Sequence, residues 1–473
     1  MKPVSIRFKC FGPYLQEQYI DFTQLEKSGL FLICGETGSG KTTILDAISY
    51  ALYGRSSGAL RGDLSVMRCK LAQPKDETLV EFIFDSGGHC YRFTRTLKYG
   101  RKNLNDSHDC ARLEDGVFVP IFENPKLKSV NEKAEELIAD DAVETVFIGT
   151  DWLTHVEYSV MAMRAGKTVG CEVGGGTTVE DSWRLVRAYE ETGTPVMFLE
   201  NCCFGREELA ALHMAKLGLF GDIVHCEGGY RHDLRDEIVF GKENRHYRLR
   251  NYLTRNCENY PTHELGPIAQ ILDINRGNRF LSLVSVASKS AGLNQFAADH
   301  PNANPELVNA KFAQGDVVTT VIKCANGETI VLTLDTTLPR FYSRAFTVRG
   351  TRGMYEEATD SVFLDNGEDC KYDWSWRANK VGNAASYTDE YEHPIWKKYI
   401  EEGVQGGHDG MDYLEFKFFF DALRNDKPMP VDVYDAASWM VISALSEKSI
   451  ALGSMPVEIP DFTRGEWDKT QGF

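Results

Sequence analysis

The sequence lacks any apolar run long enough to span a bilayer, and it does not begin with a charged segment followed by an apolar leader. We therefore expect a cytoplasmic protein without membrane contact. Basic residues are scarce relative to acidic ones, with 52 Lys and Arg against 69 Asp and Glu. Residues 1–138 contain 19 basic and 18 acidic residues, so the rest of the chain contains 33 basic and 51 acidic residues. Because a phosphate backbone binds clustered Lys and Arg, nucleic acid is not an expected ligand of the acidic part.

The twelve cysteines lack the spacing of metal ligands, and the adjacent Cys202 and Cys203 do not change this. In a chain of 473 residues without a secretory leader, we expect reduced thiols that mostly pack in the interior. With 42% apolar residues, the chain is long enough for two or three domains with separate cores.

A complete phosphate-binding loop lies near the start, at Gly35-Glu36-Thr37-Gly38-Ser39-Gly40-Lys41-Thr42. The apolar run Leu30–Cys34 predicts a strand before it. Helical spacing follows over Thr43–Tyr53, with four apolar residues on one side: Ile44, Leu45, Ile48 and Leu52. In this context Lys41 reaches the β- and γ-phosphates, and Thr42 ligates Mg²⁺. The predicted ligands of ATP and Mg²⁺ are Gly35, Gly38, Ser39, Gly40, Lys41, Thr42 and Thr43, with Thr42 on the metal.

Runs on both sides of this loop are specific enough to indicate a family. They are Ile6-Arg7-Phe8, Phe11-Gly12-Pro13-Tyr14, Ile20-Asp21-Phe22, Leu45-Asp46-Ala47-Ile48, Ala51-Leu52-Tyr53-Gly54, Met67-Arg68, Glu81–Phe84 and Tyr91–Arg95. With these runs, residues 1–138 resemble the N-terminal lobe of SbcC-type nuclease ATPases. The resemblance implies a later coiled coil, a signature motif and an acidic strand. After residue 138 there are no sustained heptads, no Leu-Ser-Gly-Gly run and no apolar strand ending in Asp-Glu, so hydrolysis lacks its metal-binding carboxylate.

From Val143 the pattern alternates between short apolar strands and helices, which indicates parallel βαβ units. The predicted strands are 143–150, 167–173 and 196–199, and the predicted helices are 155–165, 179–192 (ended by Gly193) and 206–217. Farther on, strands at 316–323 and 329–335 are joined by Asn326-Gly327, which favours a hairpin. The predicted fold class is therefore α/β: a truncated Rossmann-type parallel sheet, then an α+β domain with an open, mostly antiparallel sheet. A partial P-loop lobe of the ABC type precedes them.

A second set of runs extends through most of the remaining chain. It consists of Trp152–His155, Glu172-Val173, Glu200–Glu208, His225–Tyr230, Tyr260–His263 with Gly266-Pro267, Leu338–Arg344 and Gly410–Asp412. With these runs, residues 139–473 resemble the Gfo/Idh/MocA oxidoreductase fold, and within it glycoside hydrolase family 109, the NAD-dependent α-N-acetylgalactosaminidases. The wider fold has a Glu-Lys-Pro triplet where this chain has Glu172-Val173-Gly174; the glycosidase branch shares the missing lysine.

The resemblance also implies a division of the site residues. Those expected to line the nicotinamide half of NAD are Trp152, Leu153, Thr154, His155, Glu172, Val173, Asn201 and Tyr260. Those expected to line a small glycoside substrate are Tyr230, Arg248, Tyr260, Pro261, Thr262, His263 and Tyr342. Taken singly, Trp152 fits a core residue, His155 a helix cap, Tyr260 a turn and Tyr342 strand packing. Their joint occurrence in the family's order favours the functional interpretation.

The implied reaction oxidises the sugar at C3, eliminates the C1 substituent after C2 loses its proton, adds water and reverses the oxidation. It differs from hydrolysis by two carboxylates. Such a path needs an acid/base near C2 and C3. We expect His263 to be that group, Tyr260 and Tyr342 to donate protons or anchor the sugar, and Arg248 to hold sugar oxygens.

The two resemblances meet near residues 137–141, where a dinucleotide fold needs its first strand and glycine-rich turn. Gly174-Gly175-Gly176 follows the wrong strand for that turn and fits a plain turn. The predicted domains are 1–138 (P-loop lobe), 139–205 (remnant of the NAD-binding domain) and 206–473 (substrate domain). We expect a glycosidase weakened in NAD affinity. An ATP-binding DNA-repair subunit and an inert fusion remain alternatives, and a homo-oligomer is left open.

Overall fold

The computed structural model describes residues 2–25, 41–54, 67–99, 104–123, 126, 128–130, 133, 144–240, 248–365, 381–404 and 406–469. The chain divides into two compact units, Met1–Val146 and Phe147–Phe473, and each is described by itself. The predicted strand 30–34 and loop residues 35–40 lie outside the described residues, and only the backbone of Lys41 and Thr42 is described. Within the described part, no helix is long and apolar enough to cross a membrane. The ten described cysteines are all free thiols.

The first unit is built on an antiparallel sheet with the strand order β2-β1-β3-β4-β5-β6. The strands are β1 Lys2–Lys9, β2 Gln18–Asp21, β3 Thr78–Ser86, β4 His89–Tyr99, β5 Leu104–Glu114 and β6 Val117–Pro120. β3 alternates buried and partly exposed positions, which is the period expected of a sheet with one covered face. The runs Glu81–Phe84 and Tyr91–Arg95, which contribute to the first resemblance, lie inside β3 and β4.

Helix α1, Lys41–Tyr53, covers that face of the sheet. Its buried side consists of Ala47, Tyr50 and Ala51 with Leu52. The prediction for Leu45 was wrong, because this side chain is 52% exposed. Small residues let the helix approach the sheet closely, and the buried Arg95 on β4 donates to the carbonyl oxygens of Ala51 and Leu52 at 2.8 and 2.7 Å.

A sheet ordered β7-β8-β9 is made of Thr145–Ile148, Thr168–Glu172 and Val196–Leu199 and lies in the second unit except for the first two residues of β7. β8 and β9 pair in parallel. Helix α2, His155–Arg164, connects β7 to β8, and α3, Val179–Thr192, connects β8 to β9. Thr178 and Asp181 form a capping box at the start of α3, and Gly193, at φ +65°, ends it. These elements confirm the predicted βαβ pattern.

A larger sheet follows, with the order β16-β15-β14-β10-β13-β12-β11-β17. Its strands are β10 Ile223–Gly228, β11 Phe280–Ala287, β12 Val317–Cys324, β13 Thr329–Asp335, β14 Thr347–Gly350, β15 Gly353–Glu356, β16 Ser361–Leu364 and β17 Val457–Glu458. β10 and β13 are parallel, and the other pairs are antiparallel. The hairpin between β12 and β13 turns at Gly327, φ +105°, as the Asn-Gly pair predicts.

The second unit contains nine further α-helices in its described residues. They are α4 Arg206–Lys216, α5 Arg235–Val239, α6 Arg248–Thr254, α7 Thr262–Ile271, α8 Gly292–Asp299, α9 Ala384–Glu390, α10 Pro394–Glu402, α11 Met411–Arg424 and α12 Val433–Ala451. α12 is buried on most sides and packs against α3 and β9 as well as β11. Since it contacts elements of both sheets, it holds the parallel sheet and the larger sheet of this unit together.

Candidate active site

The loops after β7, β8 and β9 lie at the carboxyl edge of the parallel sheet, where open α/β sheets bind ligands. Trp152 follows β7, Glu172 ends β8, and Asn201 follows β9. Glu172 is exposed at this edge, whereas Val173 is buried. The Asn201 amide donates to Asp412 at 2.8 Å, and Asp412 also contacts His408 Nδ1 at 2.8 Å. Although burial of Asp412 works to raise its pKa, these two hydrogen bonds and the nearby histidines lower it overall.

The loop after β7 is held by side chains rather than left open. His155 is buried, and its Nδ1 and Nε2 lie 3.1 and 3.0 Å from the carbonyl oxygens of Gly174 and Thr150. Thr154 Oγ1 donates to Thr150 Oγ1 at 2.8 Å. Leu153 is half exposed. The Nδ1 contact joins the loops after β7 and β8, and the Nε2 contact lies within the loop after β7.

Five rings from distant parts of the chain form one aromatic cluster next to this edge. Tyr230 lies 4.5 Å from Tyr260, 5.5 Å from His263 and 6.3 Å from Tyr342, measured between ring centroids. Tyr260 stacks on Trp152 at 5.6 Å and meets His263 edge to face at 4.8 Å. Such a set of ring faces and edges can bind the apolar face of a sugar while the hydroxyl and imidazole groups contact its oxygens.

A buried arginine lies against the same rings. The Arg248 guanidinium is 5.4, 5.9 and 5.1 Å from the ring centroids of Trp152, Tyr230 and Tyr260. Its Nε is 2.8 Å from a carboxylate oxygen of Glu237, which fixes its orientation. A guanidinium within about 6 Å of aromatic faces is attracted to them, more so when water is excluded. Arg248 is therefore held in place as a cationic donor beside the aromatic cluster.

Tyr230 also has a histidine partner that the sequence analysis did not select. Tyr230 Oη lies 2.9 Å from His232 Nδ1, and the His232 ring is 5.1 Å from Tyr342. Burial, together with Arg248, lowers the pKa of His232, and burial raises the pKa of Tyr230 to about 12. At neutral pH both side chains are therefore uncharged, and one hydrogen bond joins the hydroxyl and Nδ1. The spacing Tyr230-x-His232 just after a strand was the available signal for this pair.

His263 enters the cluster from the first turn of α7. Its Nδ1 lies 2.7 Å from Glu200 Oε1, and Glu200 is fully buried. Pro261 precedes the helix and is buried together with Thr262. Of the predicted run, Tyr260 and His263 present their rings to the cluster. Tyr342 lies outside the strands, between β13 and β14, and is 49% exposed.

The fold and this site define an α/β protein with an aromatic cluster beside the carboxyl edge of its parallel sheet, and comparison with known proteins gives the family. The profile "Glycosyl hydrolase 109, C-terminal domain" matches residues 204–469, and an "AAA domain" profile matches residues 5–148. An alpha-N-acetylgalactosaminidase of Tannerella forsythia is 41% identical over 363 residues, which cover 72% of this chain and 76% of the relative. A glycosyl hydrolase family 109 protein of Parabacteroides distasonis is 40% identical over 366 residues, with the same two coverages. The chain belongs to glycoside hydrolase family 109.

The fold is also found among solved structures. A levoglucosan dehydrogenase, solved in complex with NADH and levoglucosan, aligns with a TM-score of 0.50 and 20% identity. The alignment covers 72% of this chain and 85% of the dehydrogenase. At this identity the likeness shows the fold, and it confirms the predicted Gfo/Idh/MocA-type architecture of the larger unit. The AAA profile agrees with the predicted ATPase-like lobe before it.

Proposed function

We propose that this chain cleaves a terminal α-linked N-acetylgalactosamine or a closely related sugar, with NAD⁺ as a resident cofactor. The supporting observation is the buried Arg248 among three ring faces, next to His263 with its carboxylate partner. Family membership supplies the reaction class, and the pocket supplies side chains suited to it. A guanidinium and tyrosine hydroxyls bind sugar oxygens or an acetamido carbonyl, and the ring faces bind the apolar side of the sugar.

The residues at the carboxyl edge suit one half of the cofactor. Trp152, Glu172, Asn201 and Tyr260 border the position where a nicotinamide would lie beside the sugar pocket. NAD⁺, when bound, supplies reversible oxidation of the sugar at C3. The expected roles of His155 and Val173 are indirect, because both ring nitrogens of His155 face backbone oxygens and Val173 is buried.

The glycines after β8 do not form a binding site for the pyrophosphate half of NAD⁺. A Cβ added to Gly174 would lie 2.0 Å from Trp152 Nε1, and one added to Gly176 would lie 2.9 Å from Met440 Cβ. The space beside these glycines is therefore filled by protein atoms, so they serve packing and not pyrophosphate binding. We accordingly expect NAD⁺ to bind more weakly than in a chain that has the glycine-rich turn of a complete dinucleotide fold.

The side chains of the pocket have different roles in proton transfer and sugar binding. His263 is placed to accept the proton from C2 and to return it later, because its Nε2 is not the nitrogen bonded to Glu200. Tyr342 is placed to donate a proton to a sugar oxygen, and Tyr230, whose hydroxyl shares a hydrogen bond with His232, is placed to contact the sugar oxygens beside it. Arg248 orients the sugar through charge-assisted hydrogen bonds.

The decisive experiment measures release of p-nitrophenol from p-nitrophenyl α-N-acetylgalactosaminide, with and without added NAD⁺. Bound NAD(H) is assayed in parallel in the supernatant of the denatured protein. We expect activity that increases with added NAD⁺, and its loss in His263→Ala. A matched control is His225→Ala, since His225 lies on β10 and bonds Thr329 at 2.8 Å, outside the aromatic cluster. No release of p-nitrophenol at saturating NAD⁺ from this or the corresponding glucosaminide would contradict the proposal.

For the first unit we propose nucleotide binding at the sequence Gly35–Thr43, supported by the AAA profile over residues 5–148. Fluorescent ATP with Mg²⁺ should bind the wild-type chain and not Lys41→Ala. Because NAD⁺ and ATP can be titrated separately, the two proposals fail or succeed independently. Equal binding of ATP by the wild type and Lys41→Ala would contradict this second one.

A further inference from the structure

A buried carboxylate supports the pocket histidine from behind. Glu200 directly follows β9, its side chain is fully buried, and its Oε1 lies 2.7 Å from His263 Nδ1. The same oxygen accepts a weaker hydrogen bond from the Cys202 amide at 3.3 Å. Burial works to raise the pKa of Glu200, but the positive charge of His263 in its protonated form and the hydrogen bonds from His263, Thr262 and Cys202 outweigh it and hold the pKa below its usual range. Glu200 is thus a buried, ionised group whose principal partner is the imidazole.

This contact decides which tautomer His263 adopts. An ionised carboxylate can only accept a hydrogen bond, so the proton of a neutral His263 must lie on Nδ1. The lone pair is then on Nε2, on the other side of the ring. The His263 ring lies 5.5 Å from the Tyr230 ring and 4.8 Å from the Tyr260 ring, measured between centroids, and the His263 side chain is 16% exposed. His263 is therefore held by packing in two directions and by the carboxylate in a third.

Local packing leaves Glu200 little freedom to turn away. Helix α7 lies directly on it: a Cβ at Gly266 would be 3.0 Å from Glu200 Cγ and 2.8 Å from Cys203 Sγ. Only glycine allows the helix this close. Since His263 is on the first turn of the same helix, the approach at Gly266 sets the distance between His263 and Glu200.

We propose that Glu200 is a positioning residue, which keeps the proton of His263 on Nδ1 and presents Nε2 to the sugar as a base. This inference rests on the proposed glycosidase function. When Nε2 takes the proton from C2, the imidazolium carries both protons and is stabilised by the Glu200 carboxylate. The carboxylate itself stays unprotonated. The same proton returns to carbon at the end of the cycle, so the pair is regenerated.

The test compares Glu200→Gln with the matched control Glu415→Gln. Glu415 is buried in the same region and within electrostatic reach of Glu200, and burial raises its pKa well above the usual range. Its replacement by glutamine therefore keeps size and charge nearly unchanged without touching His263. We expect Glu200→Gln to lower kcat by about 10²–10⁴-fold, the usual contribution of a general base, with KM little changed. Glu415→Gln should retain kcat, and Glu200→Asp should recover part of it.

A second readout does not depend on activity. The ¹⁵N chemical shifts of labelled histidine show which ring nitrogen carries the proton, and the His263 signal is assigned by its loss in His263→Gln. We expect a protonated Nδ1 in the wild type and in Glu415→Gln, and a shift towards protonated Nε2 in Glu200→Gln. If the wild type cleaves no glycoside but shows this tautomer change, the proposed function fails while the Glu200 contact stands.

Three outcomes would overturn the inference. The first is a His263 tautomer in Glu200→Gln that is the same as in the wild type, and the second is a pH profile of kcat that is identical in the two proteins. The third is a stoichiometric transition metal in the purified protein that is lost in Cys202→Ser. Glu200, Cys202 and His263 have ligand atoms within 4.8 Å of one another, and a metal there would replace the hydrogen bond. Circular dichroism and urea unfolding of each variant separate these effects from misfolding.

Discussion

Glu258 allows a direct measurement of how much a buried carboxylate near the pocket lowers the free energy of unfolding. It lies two residues before Tyr260 with no exposed surface, and its backbone N–H donates to Ser446 Oγ at 2.8 Å. Burial raises the pKa of Glu258 from 4.5 to about 8, although the amides of Tyr260 and Leu334 act in the opposite direction. The folded state therefore keeps a proton that the unfolded chain releases near pH 4.5.

The sign and size of the effect follow from that difference. A carboxyl whose pKa is raised by folding contributes stability that is complete below pH 4.5 and is lost as the pH rises to about 8. Each tenfold change in proton affinity corresponds to about 1.36 kcal/mol, so the full loss is roughly 5 kcal/mol. Glu258→Gln removes the titrating group and keeps the shape. We expect the free energy of unfolding of the variant, relative to the wild type, to increase by several kcal/mol between pH 5 and pH 9.

Urea unfolding followed by tryptophan fluorescence measures this change in the larger unit alone. All seven tryptophans of the chain lie between Trp152 and Trp467, so the first unit does not contribute. The control is Glu191→Gln, which removes an exposed partner of Arg164 at 3.3 Å and should shift stability by less than about 1 kcal/mol at any pH. Parallel stability curves for the wild type and Glu258→Gln across this pH range would refute the reasoning.

Three further changes test other parts of the unit. Gly174→Ala places a Cβ 2.0 Å from Trp152 Nε1 at a residue with φ +83°. The free energy of unfolding should therefore fall by about 1–3 kcal/mol, and the indole fluorescence should shift. Unchanged spectra would contradict the packing role. Arg248→Met removes the cation from three ring faces, each of which contributes about 0.5–2 kcal/mol of cation–π attraction. We expect KM for the aryl glycoside to rise about tenfold or more. A lower kcat with unchanged KM would argue against a binding role. Arg276→Met leaves Asp435, 2.6 Å away and buried, without its cation, so urea unfolding should show a loss of about 3–5 kcal/mol, and Asp435→Asn in the same chain should recover part of it.

Local signals in the sequence were sufficient for the elements of the βαβ region. Helix α3 was predicted from Val179 to Thr192 and has those bounds, because a capping residue precedes it and Gly193 follows it. β9 was likewise predicted at its observed bounds, since four apolar residues stand between a turn and a polar pair. The turn at Asn326-Gly327 requires positive φ, and the hairpin around it was predicted for that reason.

Side-chain contacts between distant residues were outside the reach of such signals. Glu200 and His263 are 63 positions apart, and their contact depends on how α7 packs against the segment after β9. The apolar face of α1 was misjudged at Leu45, because an apolar residue on the surface is common and the closest packing was made by small residues. The contacts of His155 with the carbonyl oxygens of Gly174 and Thr150 could likewise not be read from spacing, and its place at the cofactor stays a prediction.

The aromatic pocket and the missing glycine-rich turn belong to different parts of the chain, and this separates sugar binding from cofactor binding. The rings, Arg248 and the Glu200–His263 pair all come from residues after Phe147, and α12 packs against both sheets that carry them. Their positions are thus set by elements of the larger unit. The pyrophosphate contacts of a dinucleotide fold do depend on that segment, where this sequence has the ATPase-like part instead. Loss of the turn should hence lower NAD⁺ affinity while leaving sugar binding to the pocket largely intact.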